Sequence, residues 1–229
     1  AVLPLFEALA AHNEMNFRLT ATLYPDLSAY RTTNGGAIRI PDVLADLRKL
    51  REQYANHPLI KANAAKIFID GVLEGDPYSD PPQLPNAAVL RPYRQPLFRP
   101  TNMEPGIEIA GYVDLEEEPC RTVQAHGERY ASAAQVKKFR GQQGFHPRQC
   151  EISYGRLEHD EAFIRNYMHA LARDGFAIHA HAIGDRAVRV AVANFSELRS
   201  EFGADSGPYI IAHAQLVHPE DRRRIGALG

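Results

Sequence analysis

Two short apolar segments, FAIHAHA at 176–182 and PYIIAHA at 208–214, carry histidines thirty-two residues apart, His181 and His213, with an amphipathic stretch between them. That spacing suits one strand–helix–strand repeat, because two parallel strands need a crossover of a dozen or more residues. The same alternation runs through much of the chain. Strands are expected at about 17–24 (FRLTATLY) and 64–70 (AAKIFID), the first of them preceded by an opening helix. Helices are expected at about 41–55, with Pro41 suited to a first turn, at 158–174, at 185–202 and from Pro219 onward. Four strands alternating with helices imply parallel βαβ units and an α/β fold. Such units build an open doubly wound sheet or a (β/α)8 barrel, and no strand is followed by the Gly-rich turn of a dinucleotide site.

The stretch 72–155 breaks the rhythm. Pro77, Pro81, Pro82, Pro85, Pro92, Pro96, Pro100 and Pro105 oppose long helices and central strands through its first half. The expectation is a long excursion after the second strand, with a short strand near 107–114 and a helix near 127–140, of the kind that forms lids or inserted subdomains. The chain therefore divides into a segment 1–75, an insertion or lid 76–150 and a second segment 151–229.

Composition narrows the function classes. A formal net charge of −2 leaves no electrostatic footprint for nucleic acid or an anionic membrane, and Arg222, Arg223 and Arg224 read as a solvated helix face. No stretch reaches the roughly 18 apolar residues of a membrane span. Cys120 and Cys150 lack CxxC spacing, which predicts neither a disulfide framework nor a zinc ribbon, and a reducing cytoplasm is the expected location. The opening AVLPLFEALAAHNEMNF fits an amphipathic helix better than a signal peptide. Without an initiating methionine, and with ALG following directly on a helical pattern, the sequence reads as an internal piece of a longer chain.

The residues that carry chemistry lie at strand ends. In AIHAHAIGD, His179 and His181 stand at i, i+2 on one face of a strand. If that face lines a barrel, His181 is nearest the C-terminal end, where barrel enzymes place catalytic groups. Gly184 permits a sharp exit and Asp185 is a good N-cap for the next helix. His213 takes the corresponding position on its own strand, so two histidines at the ends of adjacent parallel strands can share a divalent metal. In KIFIDG, Lys66, Phe68 and Asp70 share a face and Ile67 and Ile69 the other. A lysine starting a buried strand is expensive unless used or paired, and pairing with Asp70 or with a neighbouring carboxylate is the simpler expectation.

The segments KIFIDG, HAHAIGDRAV and AHAQLVHPED, in this order, resemble the branch of the amidohydrolase superfamily called amidohydrolase family 3, which includes N-substituted formamide deformylase-like proteins. The resemblance implies a (β/α)8 barrel, here partial and covering about strands three to six. It implies a metal-dependent hydrolase acting on C–N bonds of a small amide-type substrate through metal-activated water. It implies Lys66 as the fourth-strand lysine, in that family sometimes carboxylated to bridge two metals, with His181 and His213 as ligands from the fifth and sixth strands. The cofactor implied is a divalent metal, zinc by expectation, as one or two ions. His179, Asp70 and Asp185 are expected behind the ligands. The family's first-strand HxH and eighth-strand aspartate have no counterparts, and Ala212 stands where the family usually has glutamate. Two alternatives stay open: a metal-free enzyme using His181 with Asp185 as an acid–base pair, and a non-catalytic partial barrel that self-associates, for example as a homodimer.

Overall fold

The computed structural model describes residues 2–32, 35–76, 79–104 and 106–228. Pro77 and Pro105 of the proline run lie outside the described residues. In chain order the elements are α1 (Leu3–Ala11), β1 (Leu19–Leu23), α2 (Ile40–Gln53), β2 (Ile60–Phe68), β3 (Pro96–Pro100), β4 (Ile107–Tyr112), α3 (Glu118–Ala125), α4 (Ala133–Gln143), α5 (Glu161–Arg173), β5 (Ala177–Ala182), α6 (Asp185–Phe202), β6 (Tyr209–His213) and α7 (Pro219–Leu228). The chain forms two compact units, residues 1–70 with 157–229 and residues 71–156.

The first unit is built on a four-stranded sheet in the order β1-β2-β5-β6, each neighbouring pair parallel. Strand order follows chain order without a reversal. The alternation expected from the sequence is therefore present, with β2 beginning at Ile60, earlier than its apolar pattern suggested.

Alternation along the strands sorts the side chains. Ile67 and Ile69 after Ala65 on one face, and Ile178, Ala180 and Ala182 beside them, are fully buried. Val43 and Leu47 of α2, Ile164, Met168 and Leu171 of α5, and Val188, Val192 and Leu198 of α6 are buried too. Each fully buried aliphatic side chain contributes about 1.5–3 kcal/mol, so this apolar layer is what fixes the register, since a one-residue slip would exchange it for the other face.

Helix ends follow local chemistry. Asp160 accepts a 2.7 Å hydrogen bond from the Phe163 amide and caps α5, and Gly175, at φ +74, closes it. The start of α6 departs from expectation. Its N-cap is Gly184, without a side-chain cap, and Asp185 is the first helical residue. Gly184 has φ −74, which any residue can adopt, so the exit from β5 does not depend on glycine's freedom.

The second unit pairs β3 and β4 as an antiparallel hairpin. β3 both starts and ends on proline, tolerable because a two-stranded sheet has only edge strands. The short strand expected near 107–114 is β4, and the helix expected near 127–140 is α4, preceded by a single 3₁₀ turn at Gly127–Tyr130. A small core of Val113, Cys120, Phe139 and Cys150 carries Leu97, Leu115, Val123, Tyr130 and Phe145 around it. The two cysteines form a disulfide across 30 residues of sequence. The spacing gave no ground to expect a disulfide; folding, not CxxC spacing, brings the two cysteines together. The disulfide removes the ground on which a reducing cytoplasm is expected. Among the described residues, no helix is long and apolar enough to cross a membrane.

Candidate metal-binding site at the strand ends

The face of the sheet opposite the buried isoleucines carries the candidate residues in two rows. Register aligns Lys66 with His179 and His179 with Ile210, then Phe68 with His181 and His181 with Ala212. Aromatic and imidazole rings continue along the second row. Tyr24 meets Phe68 edge-on with centroids 5.0 Å apart, Phe68 lies 4.7 Å from His181, and His181 lies 4.6 Å from His213. The C-terminal ends of all four strands are thus linked by one line of rings.

His213 reaches this line in an unexpected way. It pairs with Ala182, one residue beyond the partner of His181, so simple alternation would turn it toward the helices. Its φ is +78 and that of Ala214 is +46, and this left-handed pair carries the imidazole back beside His181. The strained backbone is held by hydrogen bonds from the Ala214 amide to the Ala182 carbonyl (3.0 Å) and from the Leu216 amide to the Ile183 carbonyl (2.9 Å). Non-glycine residues held in left-handed geometry cost about 1–3 kcal/mol each and cluster at functional sites.

Lys66 is paired neither with Asp70 nor with a neighbouring carboxylate among the described residues, contrary to the simpler expectation. Among the described residues it forms no ion pair, and its Nζ lies 5.2 Å from the centre of the Phe68 ring. The ammonium therefore extends from the His179 row toward the His181 row. Burial pushes its pKa below the ordinary lysine value, favouring the neutral amine. His179 is also held below the ordinary histidine range, first by burial and then by the charges of Lys66 and His213. Its Nδ1 stands 3.4 Å from the Thr22 hydroxyl. The β1 threonine had no signal in the sequence, because the two residues are 157 apart.

Asp70, only 1% exposed, is committed elsewhere. Its Oδ1 accepts from the Ile183 amide at 3.0 Å and its Oδ2 from the Gly184 amide at 2.8 Å. The start of α6 is therefore tied by a carboxylate from the end of β2, the role the sequence reading gave to Asp185. Asp70 Oδ1 also lies 3.8 Å from His181 Nε2.

The donor set can be tested against a metal. Two metal–nitrogen bonds of about 2.0–2.1 Å place imidazole centres roughly 4.5 Å apart at a right angle and roughly 5.2 Å apart at the tetrahedral angle. The 4.6 Å between His181 and His213 matches the narrower angle. Among the described residues no group of three His, Cys, Asp or Glu side chains is arranged to hold a metal ion. The chain thus offers two imidazole positions with Lys66 behind them.

The chain is similar to the crystal structure of an uncharacterized metal-dependent hydrolase from Pyrococcus furiosus, at 18% identity and a TM-score of 0.51. It is similar also to an uncharacterized metal-dependent hydrolase from Pyrococcus horikoshii OT3, at 16% identity and a TM-score of 0.51. The likeness covers 99% of this chain in both cases, and 30% and 29% of those proteins, so the chain spans under a third of their length. At such identity the likeness is one of fold. No family model matches the chain, and no curated protein matches it significantly.

Proposed function

We propose that this chain carries part of the active site of a metal-dependent hydrolase, with His181 and His213 as ligands of one divalent ion. The observation that carries the reading is the imidazole pair, 4.6 Å between centres, brought together at the ends of two adjacent parallel strands by a strained backbone at His213 and Ala214. The fold it shares with two proteins named metal-dependent hydrolases supports the same reading.

The finer assignment is a partial (β/α)8 barrel of the amidohydrolase type, acting on a C–N bond of an amide or formamide-like substrate, with zinc as the metal. A bound divalent ion would acidify its water and polarise the substrate carbonyl. His181, nearly buried, and His213, exposed, would fix the ion at the mouth of the sheet. Phe68 and Tyr24 give the adjoining wall an apolar surface. Lys66, with its depressed pKa, is suited to carboxylation, which would turn a cation into an anionic oxygen donor reaching toward His181.

The test is a panel of amide and formamide substrates offered to the 229-residue chain, with zinc and after exhaustive chelation. The expected outcome is zinc binding with little turnover, since two imidazoles and a lysine leave the proton-transferring base unsupplied. Hydrolysis that survives chelation would overturn the metal-dependent reading in favour of His181-based acid–base chemistry.

A further inference from the structure

We infer that Asp70 is a positioning residue that selects the tautomer of His181, holding the ring proton on Nε2 and turning the Nδ1 lone pair into the metal donor. The last clause rests on the function proposed above, whereas the tautomer does not.

The carboxylate is fixed before any ligand arrives. Asp70 is buried, and an ionised buried carboxylate is tolerable only when hydrogen-bonded. Its oxygens take the Ile183 and Gly184 amides, one each. The adjoining backbone is tied to the same histidine, because the Ile69 amide donates to the His181 carbonyl at 3.0 Å. Asp70 is therefore anchored to the residue it faces and to the turn that follows it.

In that position Oδ1 lies 3.8 Å from His181 Nε2. An ionised carboxylate only accepts, so a lone pair on Nε2 would face negative charge, whereas an N–H there is attracted. The interaction at this distance is electrostatic, weaker than a full hydrogen bond, but it acts where water is excluded and screening is low. A neutral imidazole with its proton on Nε2 carries its lone pair on Nδ1. The Asp70 contact then favours Nδ1 as the nitrogen able to bind an ion, as carboxylates beside metal-bound histidines do.

Phe68 packs on the same ring, 4.7 Å between centres, and limits its rotation. A half-turn of the ring would carry Nε2 to the place of Cε1 and away from Asp70, and would have to pass through both this contact and the one with His213. The tautomer, not a ring flip, is the variable that Asp70 controls.

The experiment is nitrogen-15 NMR of the imidazoles in the metal-free 229-residue chain at about pH 8.5, above the ordinary histidine range, with His181 assigned through His181→Gln. The wild-type protein should show His181 with a protonated Nε2 and an unprotonated Nδ1, and Asp70→Asn and Asp70→Ser should shift it to a mixture. A merely structural cap would lower stability in these variants and leave the ring shifts of the folded fraction unchanged. The inference is overturned by a wild-type His181 protonated on Nδ1, which needs no variant to fold, or by unchanged shifts in a folded variant. A zinc titration of the same wild-type sample keeps the two claims apart. Protonated Nε2 without zinc binding removes the hydrolase reading alone, and zinc binding with protonated Nδ1 removes this inference alone.

Discussion

His213 and Ala214 adopt left-handed backbone in succession, at φ +78 and +46. Left-handed geometry costs an L-residue with a Cβ about 1–2 kcal/mol relative to the right-handed form. Ala214 carries no ring to the site, so its strain serves only to place its neighbour. Ala214→Gly should therefore escape the loss of about 1 kcal/mol that Ala→Gly causes inside a helix, and should gain up to about 1 kcal/mol in urea unfolding. A loss as large as the helical one would show that the turn is not strained. At this scale the sequence made His181, His179, His213 and Lys66 legible as candidates, because polar residues at alternate positions of apolar strands are conspicuous. It hid how His213 arrives, since the register is offset by one residue and only the backbone reversal restores contact. It hid also the task of Asp70, whose partners lie 113 and 114 residues away.

Among the elements, βαβ alternation was readable because helix and strand periods differ and each buries one face. The insertion was readable as a break in that alternation and β4 and α4 were expected close to their places, but the pairing of β3 with β4 and the disulfide were not. Its disulfide joins α3 to the 3₁₀ turn Pro147–Cys150, across a loop of 30 residues. By loop-closure entropy such a link is worth about 3–4 kcal/mol. Reduction should accelerate amide exchange and proteolysis within 71–156 while 157–229 stays protected, and equal loss of protection in both would contradict this. A second device sits beside it. His146 Nδ1 accepts from the Arg148 amide at 2.9 Å, while the Gln149 side chain accepts from the His146 amide at 3.0 Å. Protonating Nδ1 would destroy the first bond. Burial, the largest influence, pushes the His146 pKa below the ordinary histidine value, against the pull of Asp80. The unfolded state then binds the proton first. This contribution to stability is complete above about pH 6.5 and is lost as pH falls from there toward the depressed folded value. His146→Asn, which keeps an acceptor without titrating, should flatten the pH dependence of unfolding over that window. An unchanged slope would rule out His146 as its source.

At the scale of the molecule, four parallel strands in sequential order present their chemistry at one end, the end where α/β proteins commonly bind ligands. The central claim is that His181 and His213 act there as one unit. Zinc affinity should be measured by competition titration for the wild-type chain, His181→Ala, His213→Ala and the double variant. Two ligands of one ion are non-additive. Each single variant should lose at least about tenfold in affinity, a change of about 1.4 kcal/mol, and the double variant should lose little more than either one. Affinity unchanged in both single variants, or losses that simply add, would contradict a shared metal site.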